Sequence, residues 1–212
     1  AGAVGLISSY WSKAFGANKV FNARTEKIPN VDLNLEDYTM LFRMVENGIS
    51  PKLKIISTSK ELGDVPAFNT IARIDGVEKP NEYVVLSAHF DSWDGGQGTT
   101  DNGTGSIVMM ETMRILKKFY PNPKRTILVG HWGSEEQGLN GSRAFVEDYP
   151  DIIKNIQVVF NQDNGTGRVV EINGQGFLNS YQYLSDWLSY VPKDVTDHIE
   201  TDFPGMPQSR GT

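Results

Sequence analysis

The stretch that most constrains this chain runs from residue 83 to residue 119, where a strand, a glycine-rich loop and a helix follow one another. The apolar run Tyr83–Ala88 is typical of a strand buried on both faces. His89 and Asp91 follow two residues apart, so their side chains lie on one side of the strand end, where Asp91 can steady the His89 imidazole. Polar residues at the carboxyl end of a buried strand mark the functional edge of an open α/β sheet.

A helix is predicted to begin at Gly103, two residues after Asp101 in the glycine-rich loop. Apolar residues recur at helical spacing through this segment, and Pro121 ends it. The predicted apolar face comprises Val108, Thr112, Ile115, Leu116 and Phe119.

Composition limits the classes of partner and of site. The 212 residues and 39% hydrophobic content suffice for one sizeable core, or for one core with a small second lobe. A net charge of −6 disfavours nucleic acid and anionic membranes as partners, and no apolar run approaches the ~20 residues of a membrane helix. Cysteine is absent, so a strong metal site must use His, Asp and Glu.

From residue 68 onwards, strands alternate with helices, which predicts an α/β fold with a mostly parallel, doubly wound sheet flanked by helices. Residues 1–60 have a different character and predict part of a small α/β lobe, so the boundaries are 1–60 and 61–212. In the lobe the predicted elements are a strand at 4–7, a helix at 38–46 and a strand at 52–59. In the second domain they are strands at 69–75, 83–89, 125–132, 156–163 and 168–173, helices at 103–119, 141–149 and 177–191, a turn at 76–81 and an irregular segment at 202–212.

Acidic residues follow each central strand of the predicted sheet. In a parallel sheet these strand ends lie side by side, so the acids are expected to converge on one crevice. Carboxylates at such short range repel one another unless cations lie among them. One His with several carboxylates suits Zn²⁺, Mn²⁺ or Co²⁺, and such a set can surround two metals. The candidate residues are His89, Asp91, Asp101, Glu135, Glu136 and Asp163.

Each of these features has an ordinary structural explanation when it stands alone. A His-x-Asp pair is usually a hydrogen-bonded pair, adjacent glutamates usually begin a helix, and Asp-Asn-Gly is usually a turn. Their order along the chain, each at a strand end, makes that explanation improbable for the set. His131 lies within an apolar strand and is expected in the core or behind the site. His198 is expected at the surface.

Four segments together resemble the co-catalytic dizinc exopeptidases, the family that holds the bacterial leucyl aminopeptidases and the plasma glutamate carboxypeptidases. The stretch His89–Gly98 looks most similar to the glutamate carboxypeptidase (carboxypeptidase Q) branch. The resemblance covers about residues 66–212, and residues 1–60 resemble the end of a protease-associated lobe. The segments are His89–Asp91, Thr100–Gly105, Ser134–Ser142 and Asp163.

The resemblance implies a role for each matching residue. Asp101 would bridge two Zn²⁺ ions, His89 and Asp163 would complete one site, and Glu136 would bind the other. Glu135 would be the general base, and Asp91 the partner that holds His89. The family's cis peptide bond would lie between Asp101 and Asn102. A further family His ligand has no match here, which implies a catalytic domain truncated at its C-terminus.

The implied activity is exopeptidase hydrolysis of small peptides or dipeptides, in an extracellular or periplasmic setting, with a homodimer left open. Two rival functions remain. One is a related zinc amidohydrolase or glutaminyl cyclase. The other is a catalytically silent binding domain with a peptidase fold, as in transferrin-receptor-like proteins.

Overall fold

The computed structural model describes residues 2–9, 27–56, 58, 60, 62–93, 96–163 and 165–206. The chain divides into two units, Ala1–Pro66 and Ala67–Thr212. The division falls a few residues beyond the boundary expected from the sequence. The protease-associated character of the first unit stays a prediction.

The first unit holds two short parallel strands and one helix, which are β1 (Leu6–Ser8), β2 (Asn30–Asp32) and α1 (Leu35–Glu46). Helix α1 begins three residues before the predicted start because the Asn34 side chain caps it, accepting a hydrogen bond of 2.8 Å from the Asp37 N–H. The strand predicted at 52–59 is wrong for the described residues 52–56 and 58, which form no strand. Alternating side chains do not make a strand unless a neighbouring strand satisfies the backbone.

The second unit contains the larger sheet and its helices. Strand β4 begins where a turn was predicted, because Lys79 pairs with Arg125 before a bulge that precedes Tyr83. The elements are β3 (Thr70–Ile74), β4 (Lys79–His89), a π-helical segment (Thr99–Thr104), α2 (Gly105–Phe119), β5 (Arg125–Trp132), α3 (Asn140–Asp148), α4 (Pro150–Ile153), β6 (Ile156–Asn161), β7 (Glu171–Asn173), α5 (Ser180–Ser189), α6 (Lys193–Thr196) and β8 (Glu200–Asp202).

At the end of the chain, β8 pairs in parallel with β7, so the segment predicted to be irregular from Asp202 starts with a strand residue. Residues 207–212 of that segment lie outside the described residues. No described helix combines the length and apolar character that crossing a bilayer requires.

The main sheet has the strand order β3-β5-β4-β6, in which β5, β4 and β6 are parallel and β3 runs antiparallel at the edge. The mostly parallel α/β fold expected from the sequence is therefore confirmed. Because the three parallel strands point the same way, their carboxyl ends share one edge of the sheet.

Two apolar cores lie on opposite faces of this sheet. Leu86 and Val129 face α2 and pack with Met109, whereas Val85 and Leu128 face the other way and pack with Phe145 of α3. Neighbouring residues along a strand point to opposite faces, so a strand that is covered on both sides needs a continuous apolar run. This is why Tyr83–Ala88 shows no polar alternation.

The face of α2 that packs on the sheet matches the predicted one at Leu116 but differs from it elsewhere. Met109 is buried and Met113 and Leu116 pack beside it, whereas Val108 and Phe119 are exposed. Both sides of α2 carry apolar residues, so periodicity alone could not choose between them. At the start of the helix, Gly105 and Ser106 are buried, and the Ser106 hydroxyl donates a hydrogen bond of 2.9 Å to the His89 carbonyl at the end of β4.

Gly130 and Trp132 stabilise the contact between β5 and β4. A Cβ on Gly130 would lie 2.3 Å from the Trp132 ring, so only glycine leaves room for the indole. The indole N–H donates a hydrogen bond of 2.6 Å to the Ser87 hydroxyl on β4. This packing fixes the two strand ends that lead into the site.

Candidate metal centre

The candidate residues lie where three parallel strands end. Strand β4 ends at His89, β5 leads into the loop that carries Glu135 and Glu136, and Asp163 follows β6 by two residues. Because β4 lies between β5 and β6, His89 occupies the middle of the group.

The His89 imidazole is the buried centre of the site, with a side-chain exposure of 1%. Its Nε2 lies 2.8 Å from Asp101 Oδ1 and 3.1 Å from Asp163 Oδ1. Glu135 Oε2 lies 3.8 Å from the same nitrogen. The sequence therefore predicted correctly that these side chains converge, although they are up to 74 residues apart in the chain.

The second ring nitrogen of His89, Nδ1, is hydrogen-bonded to the protein backbone. Nδ1 lies 3.0 Å from the backbone carbonyl oxygen of Asp91. A carbonyl oxygen can only accept, so Nδ1 carries the hydrogen and Nε2 is the nitrogen turned toward the carboxylates. Histidines that ligate metals through one ring nitrogen commonly donate the other N–H in this way.

The surrounding acids control the protonation of His89. Burial by itself lowers the pKa of the imidazole. The hydrogen bond to Asp163, with the negative charges of Glu135 and Asp101, outweighs burial and raises the pKa to about 9. Without a metal, a proton on Nε2 is thus what holds the imidazole and the carboxylates together.

The surroundings of Glu135 disfavour its charged form, whereas those of His89 favour the charged form of the imidazole. Its side chain is 15% exposed, and burial raises the pKa of its carboxyl group above the usual value. The charge of His89 lowers that pKa, while the charges of Asp163 and Asp91 raise it further. A carboxylate with a raised pKa is a better proton acceptor near neutral pH.

The donor atoms suit a divalent cation. One ligand atom each from His89, Asp101 and Glu136 lies within 4.8 Å of the other two, and Asp163 joins the group through its contact with His89. An imidazole nitrogen with carboxylate oxygens is a typical ligand set for Zn²⁺. A cation at this point would also relieve the repulsion among the carboxylates.

Asp91 contacts His89 differently from the prediction. Its carboxylate Oδ1 lies 3.6 Å from His89 Nδ1, which is beyond a hydrogen bond, so the backbone carbonyl holds the ring instead. The carboxylate accepts the backbone N–H groups of Glu135 at 3.0 Å and Glu136 at 3.2 Å. Asp91 therefore links His89 to the loop that carries both glutamates.

Asn102 is a positioning residue that the sequence reasoning did not single out. Its side-chain amide donates a hydrogen bond of 2.9 Å to the Gln162 carbonyl, and its Oδ1 accepts the Gly105 N–H at 3.1 Å. The Asp101–Asn102 peptide bond is cis, as the family resemblance implied. Asn102 thus ties the loop that carries Asp101 to the residue before Asp163. In the sequence, the available signal was a glycine at position 105, three residues after Asn102. The structure explains that glycine, since a Cβ at position 105 would lie 2.2 Å from Asn102 Oδ1.

The remaining two histidines lie outside this group. His131 is buried on β5, its ring centroid is 5.5 Å from that of Phe90, and burial lowers its pKa. The expected position in the core is confirmed, and the Nδ1 of His131 has no hydrogen-bond partner in the part of the chain that the structure describes. His198 is exposed, as expected.

Fold and site together define a class of protein. Residues 69–203 match the sequence model of peptidase family M28, and the chain belongs to that family.

The chain is similar to curated proteins and to solved structures. It is 36% identical over 140 residues to carboxypeptidase Q of Homo sapiens, a match that covers 66% of this chain and 30% of the relative. The chain therefore spans about a third of the length of the curated relatives that it matches. A zinc aminopeptidase from Bacillus subtilis is 27% identical, with a TM-score of 0.50 over 63% of this chain and 33% of the other.

A peptidase M28 precursor from Shewanella amazonensis also shares the fold. It covers 100% of this chain and 48% of its own, with a TM-score of 0.72 at 20% identity. A glutaminyl cyclase from an Acidobacteriales bacterium also shares the fold, with a TM-score of 0.53 at 14% identity over 68% of this chain and 52% of its own. One fold thus carries more than one chemistry, so function has to be argued from the site.

Proposed function

We propose that this protein is a zinc metallopeptidase that hydrolyses the terminal peptide bond of small peptides or dipeptides. The observation that carries the proposal is the convergence of His89, Asp101, Glu136 and Asp163 at one sheet edge, with Glu135 beside them. Family membership and the similarity to carboxypeptidase Q support the same reaction class. An extracellular or periplasmic location belongs to the proposal and rests on the family resemblance alone.

The proposed metal ligands are His89 through Nε2 and the carboxylates of Asp101, Glu136 and Asp163. Two Zn²⁺ ions would be held if Asp101 served both sites, with His89 and Asp163 as ligands of one ion and Glu136 as a ligand of the other. Zn²⁺, when bound, supplies Lewis acidity that polarises a scissile carbonyl and lowers the pKa of water.

Glu135 is the proposed general base. Its carboxylate oxygen Oε2 lies 3.8 Å from His89 Nε2, and its raised pKa suits it to accept a proton from the attacking water. The same carboxyl group can then give that proton to the leaving amine. Asp91 keeps both glutamates in place through their backbone N–H groups.

The test compares two neighbouring glutamates in the protein at its natural full length. Glu136→Ala should lose metal and activity together, because it removes a ligand. Glu135→Gln should keep the metal and lose roughly 10²–10⁴ in kcat, since it keeps shape but removes the proton acceptor. Glu147→Gln, an exposed position on α3, is the control and should match the wild type in both measurements.

Elemental analysis and steady-state kinetics on a panel of dipeptides measure both effects. If Glu135→Gln lost metal while Glu136→Ala kept it, the two roles would be reversed. The panel also includes N-acyl amino acids and peptides with N-terminal Gln. Turnover of only one of those would favour an amidohydrolase or a glutaminyl cyclase, and a zinc-loaded protein without any turnover would favour a binding domain.

A further inference from the structure

The loop between β5 and α3 carries both glutamates, yet no regular hydrogen-bond ladder fixes its shape. Ser134 and Leu139 have φ values of 55° and 63°, and Gly138 has 119°. Within the loop, the N–H groups of Gly138 and Leu139 both point to the Glu135 carbonyl, at 2.8 and 2.9 Å. A loop built in this way needs an external hold if its carboxylates are to stay in one position.

Asn69, directly before β3, closes the base of this loop. Its Oδ1 accepts the Gly133 N–H at 3.1 Å, and its Nδ2 donates to the Gly141 carbonyl at 2.8 Å. The side-chain amide therefore bridges the first residue of the loop and the first turn of α3. A third bond, 3.0 Å from the Gly141 N–H to the Gly133 carbonyl, completes the closure.

The closure is tight enough to require glycine at both ends. A Cβ on Gly141 would lie 2.2 Å from Asn69 Oδ1 and 2.4 Å from the Gly133 carbonyl oxygen. A Cβ on Gly133 would lie 2.3 Å from the carbonyl oxygen of Phe68, the neighbour of Asn69. Positions 133 and 141 therefore have room only for glycine, because the Phe68–Asn69 backbone and the Asn69 side chain pass close to them.

We propose that Asn69 is a positioning residue that fixes Glu135 relative to His89, acting through Gly133 and Gly141. The proposal rests on the proposed function, in which Glu135 accepts a proton. Glu135 is two residues from Gly133, so a rotation at the base of the loop swings its carboxylate directly. Asp91 holds the other side of the loop, and the two contacts together define the path of the backbone around Glu135.

The test uses two variants of Asn69 in the zinc-loaded full-length protein, with one matched control. Asn69→Ala removes both hydrogen bonds, and Asn69→Asp keeps the acceptor for Gly133 but sets a carboxylate oxygen against the Gly141 carbonyl. Asn155→Ala is the control, since that side chain also donates a 2.8 Å hydrogen bond to a backbone carbonyl, in an exposed turn. Both Asn69 variants should lose roughly 10- to 100-fold in kcat, the effect of a small misplacement of a reacting group. KM should stay within about twofold and metal content should stay unchanged, because Asn69 touches neither substrate nor ligand.

Hydrogen exchange supplies a readout that does not depend on catalysis. The backbone amides of residues 139–141 should exchange hydrogen about tenfold faster in Asn69→Ala than in the wild type, which is the effect expected from the loss of one hydrogen bond. In Asn155→Ala their exchange rates should be unchanged. Faster exchange with wild-type kcat would overturn the positioning role and leave Asn69 as a structural contact. A lower kcat with unchanged exchange would overturn the hold on the loop. A wild type without peptidase activity would refute the proposed function, while the exchange data would still test the hold.

Discussion

Removing the metal should leave a protein whose stability falls as the pH rises, because of His89. The imidazole is buried and its Nε2 faces Asp101 and Asp163, so the folded protein binds the proton more tightly than the unfolded chain does. A group whose pKa is raised by folding contributes stability that is fully present below its unfolded pKa. That contribution is lost as the pH rises through the folded pKa.

The size of the effect follows from the two pKa values. His89 has a pKa of 6.5 in the unfolded reference and about 9 in the folded protein. The gap corresponds to a contribution on the order of 3 kcal/mol to the free energy of unfolding at pH 6.5 and below. The contribution should decline from about pH 6.5 and be gone above about pH 9.

The assay is urea unfolding of the chelator-treated protein across this pH range, for wild type and for Asp163→Asn. The substitution keeps the size of the side chain but removes the charge that accepts the His89 proton, so its pH dependence should be visibly weaker. His89→Gln should remove this component altogether. If wild type and Asp163→Asn lost stability in parallel between pH 6.5 and 9, the Asp163 carboxylate would not be holding a protonated His89 imidazole.

Two further predictions concern the frame of the site. Gly130→Ala should destabilise the protein by about 1–3 kcal/mol, because the new methyl group meets the Trp132 ring at 2.3 Å, and chemical denaturation measures it. Asp91→Asn turns one acceptor oxygen into a donor, so one of the N–H groups of Glu135 and Glu136 loses its partner. Its kcat should fall about tenfold with metal content unchanged, measured by kinetics and elemental analysis, and a wild-type kcat would contradict the role given to Asp91.

The strands that build the site were predictable because they are short, apolar and bounded by turn residues. Strand β5 occupies Arg125–Trp132 as the sequence suggested, and β4 ends at His89. A strand that is apolar on both faces buries all of its side chains only in the middle of a sheet that is covered on both faces. Where the local pattern allowed two answers, it failed, as for most of the packed face of α2 and for the described residues of the strand expected at 52–59.

The sequence by itself determined which side chains form the candidate centre, because the direction of parallel strands brings His89, Asp101, Glu135, Glu136 and Asp163 to one edge whatever the details of packing. Only the tertiary structure decided how they are held. The carboxylate of Asp91 bonds to the glutamate loop rather than to His89, and Asn69 closes that loop from 64 residues away. Contacts of this kind depend on distances between backbone atoms of separate elements, and side-chain periodicity carries no information about those distances.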